Sequence, residues 1–204
     1  MDLVQWSSME TGLPVIGVDE AGRGCLCGPV YAAAVIFNSE AEKGFYKDSK
    51  LLSEKKREEL YEQILATHKV GVGFATAKEI DQVNILQATF LAMKRAIAGL
   101  SGVTKAHVMI DGNQLLPQFQ SFPQSAIIKG DQKVPEISAA SIVAKVSRDR
   151  YLKKISATYP EYEFSKHKGY GTAVHKKLIE KYGPCQEHRL TFKGVREFYK
   201  SSAQ

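Results

Sequence analysis

Three apolar runs in this chain stop at a carboxylate. Leu13–Val18 runs into Asp19 and Glu20, Ala106–Ile110 into Asp111-Gly112, and Ser125–Ile128 into Lys129-Gly130-Asp131. Short β-prone runs bounded by turn residues read as buried strands. In an open α/β sheet the ends of such strands gather along one edge, and that edge is where ligands bind. The pattern therefore constrains fold and chemistry together, because it delivers acids from distant parts of the chain to one place. Val30–Phe37, bounded by Gly28-Pro29, predicts a further buried strand, antiparallel to the first across a glycine-rich connection. Val70–Thr76 alternates as another strand.

Helical signals fill the intervals. Ser53 is placed to cap a helix reaching Ala66, Asp81 and Asn84 to open one over Ile85–Ala98, and Ala139–Ile155 begins with small residues suited to close packing on a sheet. Three early strands followed by strand–helix alternation predict a mixed-sheet α/β/α domain. A tail over 156–204 is expected to carry a tight loop at His167–Gly171, a helix from about Thr172 to Lys181, and a short helix near Val195–Lys200. No repeat or low-complexity linker divides the chain, so a single domain is expected over 13–204, with a core to about 155 and a basic helical tail.

Charge is unevenly placed. The net charge is +6, but residues 145–204 hold 14 Lys+Arg against 6 Asp+Glu, and residues 1–144 hold 14 against 16. That split gives a slightly acidic stretch over 1–144 and a net of +8 over 145–204, which points to a polyanionic partner, nucleic acid first. The longest apolar-leaning run, Cys25–Phe37, falls short of the roughly 20 residues that span a bilayer, so no membrane partner is expected. No basic residue precedes Arg23, which argues against a signal peptide, and three cysteines suit a reducing, cytoplasmic location better than a disulfide framework.

Clustered carboxylates repel one another and are relieved by shifted pKa values or by a cation. Hard oxygen donors suit Mg2+ or Mn2+, and two such ions about 3.5–4 Å apart can clamp the attacking and leaving oxygens of a phosphoryl displacement. An acidic site in a basic surround points to phosphodiester hydrolysis. Taken singly, each acid also has a plain structural reading, since Asp111-Gly112 and Gly130-Asp131 are common turn pairs and Asp19 could cap a turn. Neighbouring strand residues face opposite ways, so Asp19 and Glu20 cannot both aim a carboxylate at one ion unless the strand ends between them. Asp19 is therefore expected to be the bridging ligand, with Glu20 acting through its carbonyl or a water. Gly22-Arg23-Gly24 does not fit the dinucleotide spacing, but its backbone could hold a phosphate or a sugar hydroxyl and Arg23 could fork onto a phosphate.

The segments VIGVDEAGRGCLCGPVYAAAVI, KDSKLLSEKKREEL, NILQATFLAMKRAI, VMIDGN, IIKGDQKVPEISAASIVAKVSRDR, YPEYEFSKHKGYGTAVH and GPCQEHRLTF together resemble bacterial ribonuclease HII, the type 2 ribonucleases H. The resemblance covers nearly all of Leu13–Phe192. It implies a ribonuclease H-like fold with a five-stranded mixed sheet and a C-terminal helical extension. It also implies an endoribonuclease that cuts RNA in RNA–DNA hybrids and nicks 5′ of single ribonucleotides in duplex DNA. Two-metal chemistry would leave 3′-OH and 5′-phosphate ends, in the service of removing misincorporated ribonucleotides and RNA primers.

By position, the four family acids fall on Asp19, Glu20, Asp111 and Asp131. Gly22, Arg23 and Gly24 are implied to read the 2′-hydroxyl, the group that separates RNA from DNA at a single site, and Tyr170 to stack on the sugar at the RNA–DNA junction. Lys50 could touch a phosphate, in a loop it shares with Asp48. The implied cofactor is Mg2+ or Mn2+, the partner is hybrid or ribonucleotide-containing DNA, and the protein is expected to be a monomer. Only 18 residues precede Asp19 and the fourth acid is Asp131, which fits type 2 better than the related type 3 enzymes. Two alternatives stand beside this reading: type 1-like specificity, and a non-catalytic hybrid-binding module, the latter disfavoured because unneutralised acids beside phosphates weaken binding. Cys25 and Cys27 read as small apolar fillers, His167, His175 and His188 as hydrogen-bonding groups, His188-Arg189 as a possible pin between tail and core, Glu136 as helix-leading or supporting Asp131, and Ser141 and Ser147 as non-nucleophilic.

Overall fold

The computed structural model describes residues 12–38, Tyr46 and residues 52–199. Five strands form one sheet: β1 (Val15–Ala21), β2 (Val30–Ile36), β3 (Lys69–Ala75), β4 (His107–Asp111) and β5 (Gln124–Ile127), in the order β3-β2-β1-β4-β5. β1 pairs antiparallel with β2, and β2 with β3, while β4 lies parallel to β1 and β5 parallel to β4. The expected mixed sheet is present, and β1, apolar on both faces, occupies its centre.

Helices cover both faces. α1 (Glu54–Thr67) starts at Ser53, whose Oγ accepts from the Lys56 amide at 3.2 Å. α2 (Ala77–Ala98) packs Ala92, Met93 and Ala96 against Ile16, Val18, Val108 and Ile110. α3 (Pro135–Thr158) lies on the opposite face, its Ala139, Ala140 and Val143 against Ala33 and Val35. Contact there is backbone-close: a Cβ on Gly17 would sit 2.1 Å from the Glu136 carbonyl carbon, so β1 needs glycine at that point. Beyond α3 come α4 (Phe164–His167) and α5 (Ala173–Tyr182), the latter capped by Thr172.

Two helices begin earlier than their sequence signals. α2 starts behind Thr76 with a reciprocal cap from Glu79, and Asn84 (φ 69°) kinks it. Asn84 then caps the second half, its Oδ1 accepting from Leu86 and Gln87 at 3.0 and 3.1 Å. Asp81 instead pins the tail, accepting the Leu190 and Thr191 amides at 2.8 and 3.0 Å. α3 starts at Pro135, whose fixed φ and missing N–H suit a first helical position.

The expected helix near Val195–Lys200 is not formed within the described residues. Residues 191–198 make successive turns in place of a helix, with Gly194 at φ +94° and its amide held by Glu197 at 2.7 Å. The loop carrying Asp48 and Lys50 lies outside the described residues. No helix among the described residues is long and apolar enough to cross a membrane.

Candidate active site

Register brings the acids together. Val18 stands opposite Ile110 across the parallel β1–β4 pair, so the next step sets Asp19 beside Asp111 on strands about 4.8 Å apart. Asp111 in turn is opposite Ile127, the last residue of β5. Asp131 does not end a strand. It sits four residues on, in a 3-10 turn over Gly130–Gln132, and that turn is tied to β4 by the Gly130 amide donating to Asp111 Oδ1 at 2.7 Å. The C-terminal ends of β1 and β4 and the turn after β5 thus form one acidic row.

β1 runs on through Ala21, so Asp19 and Glu20 project to opposite faces of the sheet. Asp19 shares the α3 face with Gly17 and is buried, 5% exposed. Its carboxylate receives the Ser141 hydroxyl from α3 and the Glu20 amide at 2.7 Å. Glu20 is half-buried and meets Arg23 at 3.4 Å. Both carboxyls are held above the usual range, Asp19 strongly. Burial is the main cause for each, and Asp111 adds like-charge repulsion to both. Asp131 is buried as well, at 6% exposure.

A cavity of about 290 Å³ opens beside this row, lined by Glu20, Gly22, Ser141, Tyr170 and two cations, Arg57 and Lys145. Tyr170 is 45% exposed, which leaves ring surface for a ligand, and the Lys145 ammonium lies 5.8 Å from its ring centre. Gly22 (φ +96°) gives the turn after β1 a conformation that side chains resist. Arg23 and Gly24 are exposed on that turn.

Among the described residues no three His, Cys, Asp or Glu close a ready-made metal-holding group. The donor set still fits a hard divalent ion, because Mg2+ is ordinarily held by one or two carboxylates with waters and substrate phosphates rather than by an all-protein cage. Mutual repulsion among Asp19, Glu20 and Asp111 is what a cation there would relieve. Cys25 and Cys27 are sealed in the core, 0% exposed, and burial pushes their thiols up, so they behave as apolar fillers.

A mixed five-stranded sheet in the order β3-β2-β1-β4-β5, flanked by helices on both faces, is the fold of the ribonuclease H-type enzymes. Solved structures with this fold include RNase HII of Archaeoglobus fulgidus in a PCNA:RNase HII complex (TM-score 0.71, 25% identity, covering 89% of this chain and 96% of that one). Bst-RNase HIII in complex with Mn2+ has the same fold at 18% identity (TM-score 0.74, 91% and 68% covered). Residues 16–195 match the family Ribonuclease HII, and the chain belongs to it. Relatives named Ribonuclease HII include one from Shewanella piezotolerans, 53% identical over 182 residues (89% of each chain). Another, from Pelagibacter ubique, is 49% identical over 179 residues (88% of this chain, 95% of that one). The protein is thus a ribonuclease H endoribonuclease.

The structure gathers Asp19, Glu20, Asp111, Asp131 and Gly22–Gly24 at one end of the sheet, with Tyr170 lining the same cavity as Glu20 and Gly22, while Lys50 lies outside the described residues. Sequence reasoning weighed Ser141 only as a nucleophile, without its bond to Asp19, and did not single out Arg57 or Lys145. Ser141 and Lys145 are four apart on α3, a helical spacing that puts them on one face, so this signal was available.

Proposed function

We propose that this enzyme hydrolyses the RNA strand of RNA–DNA hybrids and nicks 5′ of single ribonucleotides embedded in duplex DNA, as a monomer in the cytoplasm, with 13–204 as one catalytic domain. Primer and ribonucleotide removal would be its work in the cell. One juxtaposition carries the reading: Glu20 of the acid row and Gly22 of the glycine turn line a common cavity with Tyr170 and two cations, Arg57 and Lys145.

Asp19, Asp111 and Asp131 would hold divalent ions, with Glu20 contributing through its carbonyl or a water. Bound there, two Mg2+ or Mn2+ ions would neutralise the acids, activate water and stabilise charge on the leaving oxygen. The chain's own residues bind and orient. Lys145 and Arg57 attract the phosphates, Gly22–Gly24 receive the ribose 2′-hydroxyl through main-chain groups, and Tyr170 stacks on the neighbouring sugar. Ser141 fixes the Asp19 carboxylate. Water adds to phosphorus and the P–O3′ bond breaks, leaving a 3′-OH and a 5′-phosphate.

Strand-specific mapping on a DNA–RNA–DNA duplex with one ribonucleotide, with and without Mg2+, tests this. A single Mg2+-dependent nick 5′ of the ribonucleotide is expected. No cleavage there, with cleavage retained on long hybrids, would assign type 1-like specificity instead.

A further inference from the structure

Two arginines head the fully buried side chains by size, Arg148 at 1% and Arg189 at 0% exposure. Arg189 donates from Nη2 to the Gly22 carbonyl at 2.7 Å, from Nη1 to the Arg23 carbonyl at 2.8 Å, and from Nε to the Gly28 carbonyl at 3.0 Å. Arg148 donates from Nε, Nη1 and Nη2 to the carbonyls of Pro29, Lys168 and Cys27, at 3.2, 2.9 and 3.1 Å. It also lies against the turn, for a Cβ on Gly22 would meet its Nε at 2.0 Å. Among the described residues, every hydrogen bond of both guanidiniums goes to the main chain. Buried charges are ordinarily paired with opposite ones, so two sealed cations without a carboxylate partner call for a reason.

Peptide geometry supplies it. In a planar trans peptide, the carbonyl of one residue and the N–H of the next point in opposite directions. With the Gly22 and Arg23 carbonyls turned inward onto Arg189, the Arg23 and Gly24 amides are turned outward. Both residues are exposed. A cation on each carbonyl also polarises the peptide and strengthens its N–H as a donor.

We propose that Arg189 is a positioning residue for ribose recognition: it fixes the Arg23 and Gly24 amides outward to donate to the ribonucleotide's 2′-oxygen. This rests on the reading of Gly22–Gly24 as the sugar-reading turn. Arg148, packed on Gly22 and holding Lys168 next to the Gly169–Tyr170 segment, braces the same turn from behind.

The test compares affinity for a one-ribonucleotide duplex with that for the same all-DNA duplex, in Ca2+ so that both stay intact, for wild type, Arg189→Lys and Arg189→Gln. Wild type should prefer the ribonucleotide by about tenfold, the worth of one well-made hydrogen bond. Both variants should lose most of that preference while binding all-DNA duplex unchanged. A merely structural role would lower the active fraction equally for both duplexes and leave the ratio alone. Full preference in folded Arg189→Lys overturns the Arg189 proposal alone; no preference in wild type overturns the reading of the turn beneath it. Should the variants not fold, amide exchange on the wild-type protein decides. The Arg23 and Gly24 amides should exchange freely in the unbound protein and slow at least about tenfold with the one-ribonucleotide duplex. Slow exchange in the unbound protein overturns the proposal.

Discussion

The acid row and the arginine pair both crowd like charges together, yet they do so differently. Glu20 and Asp111 remain half-buried and reachable, so a cation can meet that site directly. Arg148 and Arg189 are sealed, and their charge reaches the surface only through the peptides they hold. The first arrangement suits a group that must touch an ion, the second a group that must aim another. A third buried cluster, His175 and His188, takes the remaining course and sheds its charge: burial lowers the two rings to about 4 and about 3.

The largest expected effect comes from removing one acid charge. Asp19→Asn should cut Mg2+-dependent cleavage by about a thousandfold or more, since the proposed chemistry depends on ion placement. The metal-free protein should become more stable, by about 1–2 kcal/mol at pH 7, because burial and two neighbouring acids oppose the charge. Here the sign is opposite to that of a salt-bridged aspartate. The folded Asp19 and Glu20 carboxyls sit above their unfolded values, so the charged site costs stability at neutral pH and that cost fades as pH falls through the folded values. Urea midpoints of the variant and wild type at pH 7 and pH 4, in chelator, read this directly. Cleavage retained at saturating Mg2+ would remove Asp19 from the row.

Much of this contrast was legible in the sequence on the acid side. Apolar runs ending at Asp19 and Asp111 announced strands and their edge, and helical signals placed the layers. Asp131 was found as a candidate although its place was not, because Gly130-Asp131 reads equally as a strand end or a turn. The helix expected near Val195 failed where Gly194 takes φ +94°, since local propensity does not encode a chain tied down by Asp81 and Glu197. His188-Arg189 was legible as a pin between tail and core, and Arg189 does make that pin, but its target was not legible. Arg189 and Gly22 are 167 residues apart and meet through a carbonyl, a group every residue carries, so nothing in residue type marks the partner.

The histidine pair gives the next effect. The Cys185 amide donates to His188 Nδ1 at 3.0 Å, so His188 carries its proton on Nε2 and passes it toward His175 Nε2 at 3.1 Å. His175 Nδ1–H then donates to the Tyr170 carbonyl at 2.9 Å. Protonating either ring sets two donors face to face. Both folded values lie below the unfolded 6.5, so this contribution to stability is complete above about pH 6.5 and is lost as pH falls toward 4. Between pH 7.5 and pH 5 the loss should be on the order of 2–4 kcal/mol, with neither ring titrating by NMR above pH 5. A ring titrating near 6.5 would break the relay, and with it the hold on the Tyr170 backbone.

The smallest effect isolates burial from residue type. Arg150 makes ion pairs with Glu58 and Glu62 at 2.6 Å each, joining α3 to α1, but its side chain is 44% exposed. Water already solvates that guanidinium, and ordering three long side chains offsets most of the attraction. Arg150→Ala should therefore cost no more than about 1 kcal/mol and leave the ribose preference untouched. Arg189 makes no ion pair among the described residues and yet is expected to control that preference. If Arg150→Ala shifted the ribose preference as much as Arg189→Lys, the effect would follow from the summed positive charge of residues 145–204, and the inward-held carbonyls of Gly22 and Arg23 would carry no special role.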